Sequence, residues 1–249
     1  MSNIIFEVCA GSYEDVVNAS DGGASRIELN SALYLGGLTP SLAEFNLSYA
    51  YTKLPIIVMI RPRPAGFYYN QYEFNTMYED AKILINHGAA GIAFGCLNLD
   101  CSIDIAKCQS LVKLAHDNNR EAVFHRAFDL IPNQLEAIHQ LIDLGFDRVL
   151  TSCGATSAPL VPNSFIDLIK ASKGSIDILA GCGFNKDNIK EFITKTNIKE
   201  IHASAKTYKL DPTTSNSNVS YSYSNIQDSY EICSLSNIKE ITKLLKTIK

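Results

Sequence analysis

Short β-branched runs bounded by Gly, Asn or Pro alternate along the chain with longer stretches whose apolar residues fall at helical spacing. Eight such pairs can be read. Candidate strands centre on Phe6, Ile27, Val58, Ile92, Val123, Val149, Ile178 and Ile201. Candidate helices follow at Tyr13–Ala19, Ser41–Tyr51, Glu73–Asn86, Ile103–Asn118, Gln134–Leu144, Ser164–Ala171, Lys186–Thr196 and Leu235–Ile248. Glycines at Asp21-Gly22-Gly23, His87-Gly88 and Leu144-Gly145 fit helix ends, where the chain turns left-handed. Ser41 and Asn185 are placed to cap the starts of helices. This alternation predicts an α/β fold with a parallel sheet, and eight repeats favour a single closed (β/α)₈ barrel over residues 1–249, with an open doubly wound sheet as the alternative.

One segment breaks the rhythm. Lys206 to Ser229, after strand eight, is rich in Ser, Thr, Asn and Tyr and reads as a polar loop, either a mobile lid or a disordered surface insertion.

Charge interrupts the strands themselves: Glu7 in Phe-Glu-Val-Cys, Glu28 in Arg-Ile-Glu-Leu, Arg61 closing Val-Met-Ile-Arg, and His125-Arg126 closing Val-Phe-His-Arg. A parallel sheet is covered on both faces, so such groups must be paired or must open onto a solvated pocket. In a barrel the C-terminal strand ends share one mouth, which would gather Glu7, Glu28, Arg61, His125, Arg126 and His202. Side chains alternate along a strand, so His125 and Arg126 should not both face inward. His125 is a candidate acid–base group with Glu7 or Glu28 beside it, and Arg61 and Arg126 are candidate anion clamps. The competing reading is a network in which Arg26, Arg61 and Arg126 neutralise Glu7, Glu28 and Asp129.

Gly181-Cys182-Gly183 after strand seven resembles turns whose backbone N–H groups surround an anion; Ser152 and Ser204, with Arg26, are further candidates for anion binding. Cys9, Cys96, Cys153 and Cys182 all fall just past strand centres. Thiolates select soft ions, yet none of these stands in a Cys-x-x-Cys pair and each could be a small buried hydrophobe.

Composition narrows the partners. The chain has 249 residues, 46% hydrophobic, with 22 Lys+Arg against 26 Asp+Glu and no basic stripe, which argues against nucleic acid. No apolar run approaches the roughly 20 residues of a membrane span, and seven cysteines without a disulfide framework, after a start with no apolar leader, point to a cytoplasmic protein.

Taken together, Phe6-Glu7-Val8-Cys9, Gly22-Gly23-Ala24 with Arg26-Ile27-Glu28-Leu29, Gly36-Gly37-Leu38-Thr39-Pro40-Ser41, Val58-Met59-Ile60-Arg61-Pro62-Arg63, Phe124-His125-Arg126-Ala127-Phe128-Asp129 and Arg148-Val149-Leu150-Thr151-Ser152 resemble the CutC family of copper homeostasis proteins. The resemblance implies a cytoplasmic, homo-oligomeric TIM barrel, dimer or tetramer, with Cu(I) as ligand through cysteine. On that reading Cys9, helped by Cys182 or Cys153, is the metal residue. The family's second copper-associated cysteine is Asn30 here, its Pro-Gly-Gly-Gly turn is Ala180-Gly181-Cys182-Gly183, and its acidic residue after Arg-Pro-Arg-Gly-Gly is replaced by Gly66. The alternative is a barrel enzyme performing acid–base chemistry on a small anionic or phosphorylated metabolite, with Glu7, Glu28, Arg61, His125, Arg126, Asp129 and His202 as its working groups.

Overall fold

The computed structural model describes residues 4–222 and 228–248. Eight parallel strands close into a barrel in sequence order: β1 (Ile5–Ala10), β2 (Arg26–Leu29), β3 (Ile56–Met59), β4 (Gly91–Phe94), β5 (Glu121–Phe124), β6 (Arg148–Thr151), β7 (Asp177–Gly181) and β8 (Glu200–Ala203). Closure pairs β1 with β8 and sets Glu7 beside His202. The open-sheet alternative is excluded, because an open sheet leaves its first and last strands as edges.

The helices α1 (Tyr13–Gly22), α2 (Leu42–Tyr51), α3 (Gln71–Asn86), α4 (Ile105–Asp117), α5 (Gln134–Leu144), α6 (Pro162–Ser172), α7 (Ile189–Thr196) and α8 (Leu235–Leu245) follow the strands. Ser12, Ser41 and Asn70 cap α1, α2 and α3 through their side chains. Gly23 and Gly145 end α1 and α5 in the left-handed conformation that a side chain disfavours. Asn185 is not the cap of α7: its side chain accepts from Asp187 N–H in a preceding turn, and the helix starts after Asn188.

Alternate strand residues pack outward against the helices, as Val8, Ile27, Val58, Ile92, Phe124 and Val149 do. The inward set divides the barrel interior into two halves. Ile57, Met59, Ala93 and Val123 form a separate apolar cluster on one side. Buried Glu7, Arg26, Glu28, Arg148, Glu200 and His202 fill the other.

The segment after β8 departs from expectation. Lys206–Leu210 forms β9, which pairs antiparallel with β10 (Ser229–Cys233), so the two ends of the expected loop are a ribbon. Its backbone groups satisfy one another, and Asp15 accepts from Cys233 N–H at 2.6 Å to hold the ribbon on α1. Residues 223–227 of the expected loop lie outside the described residues.

Candidate functional site

An ion-pair lattice floors the charged half of the barrel. Arg26 donates to Glu7 Oε2 at 2.5 Å and to Glu200 Oε2 at 2.6 Å, and Arg148 donates to Glu200 Oε2 at 2.7 Å and Glu121 Oε2 at 2.8 Å. Burial would raise the Glu7 carboxyl, but Arg26, with His202 and Arg148, outweighs it and holds Glu7 at about 2. Glu7 is therefore held as an anion, which suits an orienting role more than a share in proton transfer. Arg26 is spent in the same lattice and lies below the cavity rather than on its wall. Arg148, Glu200 and Glu121 escaped the sequence reading. Their signal was the period-two spacing Glu121-x-Val123-x-His125, Arg148-x-Leu150-x-Ser152 and Glu200-x-His202-x-Ser204.

Directly above that floor, three strands bring Cys9, Glu28 and His202 together. Cys9 Sγ, a Glu28 carboxylate oxygen and a His202 ring nitrogen all lie within 4.8 Å of one another. His202 Nδ1 lies 2.7 Å from Glu7 Oε1, which leaves Nε2 facing Glu28 Oε2 at 4.0 Å. Burial lowers His202, but Glu28 and Glu7 on its two sides leave it raised above its usual value. Burial raises Glu28, with His202 opposing and Glu7 adding to the rise. Burial also pushes the Cys9 thiol well up, and Glu28, 3.8 Å away, adds to it. Asn30 turns its amide nitrogen toward this group, 2.9 Å from Glu28 Oε2 and 3.7 Å from Cys9 Sγ.

A cavity of about 790 Å³ opens above the cluster, lined among others by Cys9, Glu28, Arg61, His125, Arg126 and His202. Cys182, Gly183 and Ser204 also line it. The mouth thus gathers most of the expected residues, while Glu7, Arg26, Asp129, Ser152 and Gly181 are not on its wall.

His125 differs from its expected role. Its Nδ1 accepts from Ala127 N–H at 3.1 Å, and among the described residues no partner reaches its buried Nε2. Burial, reinforced by Arg61, lowers it to about 3, so it is neutral near pH 7 and carries no carboxylate partner of the kind His202 has. Arg61 is likewise committed: it donates to the carbonyls of Leu35 (3.0 Å), Gly37 (2.9 Å) and Ala65 (2.6 Å), and its guanidinium lies over the Phe67 ring. These bonds tie two mouth loops together, while its buried Nε has no hydrogen-bond partner among the described residues.

Asp129, Ser152 and Arg126 form a second clamp. Asp129 accepts from Thr151 Oγ1, the N–H groups of Ser152 and Gly154, Ser152 Oγ and Arg126 Nε. That pins the turn after β5 to the end of β6. Arg126 points away from His125 toward this clamp, as strand alternation requires.

Beyond β7, Cys182 and Gly183 both have φ of 81°. Cys182 Sγ donates to Thr156 O at 3.2 Å and is not a member of the Cys9 cluster. A Cβ on Gly183 would sit 2.0 Å from Ser157 Oγ, so only glycine fits there. Thus one thiol, not the expected pair, stands in the cluster with an imidazole and a carboxylate. These three can hold a transition-metal ion, with His202 oriented from behind by Glu7 as metal-binding histidines commonly are.

Among the described residues no helix is long and apolar enough to cross a membrane. The CutC family model matches residues 4–207, ending inside β9. A CutC protein of Treponema denticola is 44% identical over 252 aligned residues, spanning the whole of both chains. One from Vibrio vulnificus strain CMCP6 is 42% identical over 200 residues, 80% of each chain. A crystal structure from Streptococcus agalactiae, named as a copper homeostasis protein CutC, superposes with a TM-score of 0.76 at 29% identity, covering 81% of this chain and 98% of that one. A deoxyribose phosphate aldolase from Aeropyrum pernix, at 17% identity and a TM-score of 0.59 over 82% of this chain and 86% of its own, shares the barrel fold alone. By family model, sequence identity and barrel architecture, the chain belongs to the CutC family.

Proposed function

We propose that this protein serves copper homeostasis in the cytoplasm by capturing a copper ion, as cargo, on Cys9, Glu28 and His202 at the barrel mouth. The observation that carries this reading is the meeting of sulfur, nitrogen and oxygen donors from β1, β2 and β8 within 4.8 Å of one another, beside an open cavity. Kinship with a structure named for copper homeostasis supports the choice of metal, and seven free cysteines accord with a reducing compartment. Cys182 lines the route into the cavity rather than completing the donor set.

The floor supports this reading by orienting the imidazole. Glu7 stays ionised through Arg26 and keeps His202 Nδ1 occupied, which leaves Nε2 as the ring's ligand atom. Equilibrium dialysis of the reduced full chain against buffered copper tests the reading. One ion per chain is expected, with the affinity lost in Cys9→Ser. Binding unchanged by Cys9→Ser contradicts it.

A further inference from the structure

We infer that the Cys9–Glu28–His202 cluster is built for a divalent ion of the zinc or cupric class, with Glu28 as the ligand that selects for the second positive charge over Cu(I). The inference rests on the proposed metal-capture reading and specifies which ion state that site takes.

The donor set is mixed. It offers one thiol, one imidazole and one carboxylate, which suits a borderline divalent ion, whereas a soft cuprous ion finds a single soft ligand. No second thiol is available at the cluster. Cys182 is turned to Thr156 O, and Cys233 donates its thiol to the backbone carbonyl of Cys9, outside the cavity wall. Asn30 does not complete the set either: its amide nitrogen, a donor, faces Cys9 Sγ and Glu28 Oε2, while its oxygen lies against Gly37. Asn30 therefore holds the two anionic ligands in place without joining them.

Charge leads to the same conclusion. In the floor, the two buried acids Glu7 and Glu200 are matched by Arg26 and Arg148, so it brings no spare positive charge to the cluster. A metal-bound Cys9 thiolate and the Glu28 carboxylate carry two negative charges, and His202, donating through Nε2, is neutral. A divalent ion leaves the buried group balanced. A monovalent ion with the same three ligands leaves one negative charge uncompensated among residues that are almost wholly enclosed, which is strongly unfavourable. Cu(I) would thus engage Cys9 and His202 and gain nothing from Glu28.

The test compares Zn²⁺ and Cu(I), each titrated into the reduced full chain against a competing chelator, for wild type and Glu28→Gln. The expected result is Zn²⁺ binding weakened roughly 10- to 100-fold in Glu28→Gln with Cu(I) binding not weakened. Asn30→Asp supplies a second variant that adds charge and removes no ligand, and it should tighten Zn²⁺ more than Cu(I). Wild-type protein loaded with Co²⁺ should show a thiolate-to-cobalt charge-transfer band that Cys9→Ser abolishes. Equal weakening of both ions in Glu28→Gln, or Cu(I) binding through Cys9 with no Zn²⁺ or Co²⁺ binding, overturns the inference while leaving copper capture standing. Failure of every ion to bind overturns both.

Discussion

His202 and Glu7 are joined across the seam that closes the barrel, with Nδ1 2.7 Å from Oε1 and both side chains buried. The same carboxylate takes Arg26 Nε on its other oxygen. Glu7 therefore fixes the imidazole and neutralises the guanidinium at once. Glu7→Gln should cost about 3–5 kcal/mol, the typical penalty for breaking a buried ion pair, because Arg26 loses a partner it cannot replace with water. Urea denaturation of wild type and variant measures it. A loss below about 1 kcal/mol would show that the lattice is not a structural floor.

His125 predicts an acid sensitivity of known sign. It binds protons less readily folded, at about 3, than unfolded, at 6.5. Its contribution to stability is thus fully present above pH 6.5 and is lost as pH falls from there toward 3, by at most about 1.4 kcal/mol per pH unit. His125→Asn keeps an acceptor for Ala127 N–H and removes the titration. Denaturation series across that window should show a shallower pH dependence in the variant; parallel curves would contradict a buried neutral imidazole.

Gly183 and Gly66 form a matched pair. At Gly183 the backbone φ is 81° and an added Cβ meets Ser157, so Gly183→Ala should lower stability by about 1–3 kcal/mol or more. At Gly66 nothing lies within 4 Å of such a Cβ, and Gly66→Ala should be neutral or slightly stabilising. Thermal unfolding of the two variants checks this, and equal behaviour would refute the assigned strain.

Asp129 and Arg126 are unequal partners in one clamp. The Asp129 side chain is 8% exposed and takes several donors, whereas that of Arg126 is 44% exposed. Asp129→Ala should cost about 2–3 kcal/mol by stranding buried donors, against under 1 kcal/mol for Arg126→Ala. Chemical denaturation separates them. A larger loss for Arg126→Ala would reverse the assignment.

Strand positions were legible because each predicted centre, from Phe6 to Ile201, sits in a run whose outward residues must pack on helices. Gathering of Glu28, His125 and His202 at one mouth followed from the same logic. Depth was not legible. Glu7 and Cys9 are two residues apart and face the same way, yet one joins the floor and the other the cavity wall. That division depends on how far β1 is displaced against β8 when the barrel closes. Partner choice followed depth: His202, not His125, received the carboxylates. Strand β9 also escaped because its side chains are exposed throughout and leave no apolar alternation to read. Asn185 looked like a helix cap because an Asx turn and a helix cap use the same side-chain chemistry.

X-ray absorption on the copper-loaded, reduced full chain tests the central claim most directly, because it counts the atoms around the ion. The account predicts one sulfur together with a nitrogen neighbour from His202, and loss of that sulfur in Cys9→Ser. A shell of two sulfurs, or one without sulfur, would contradict it.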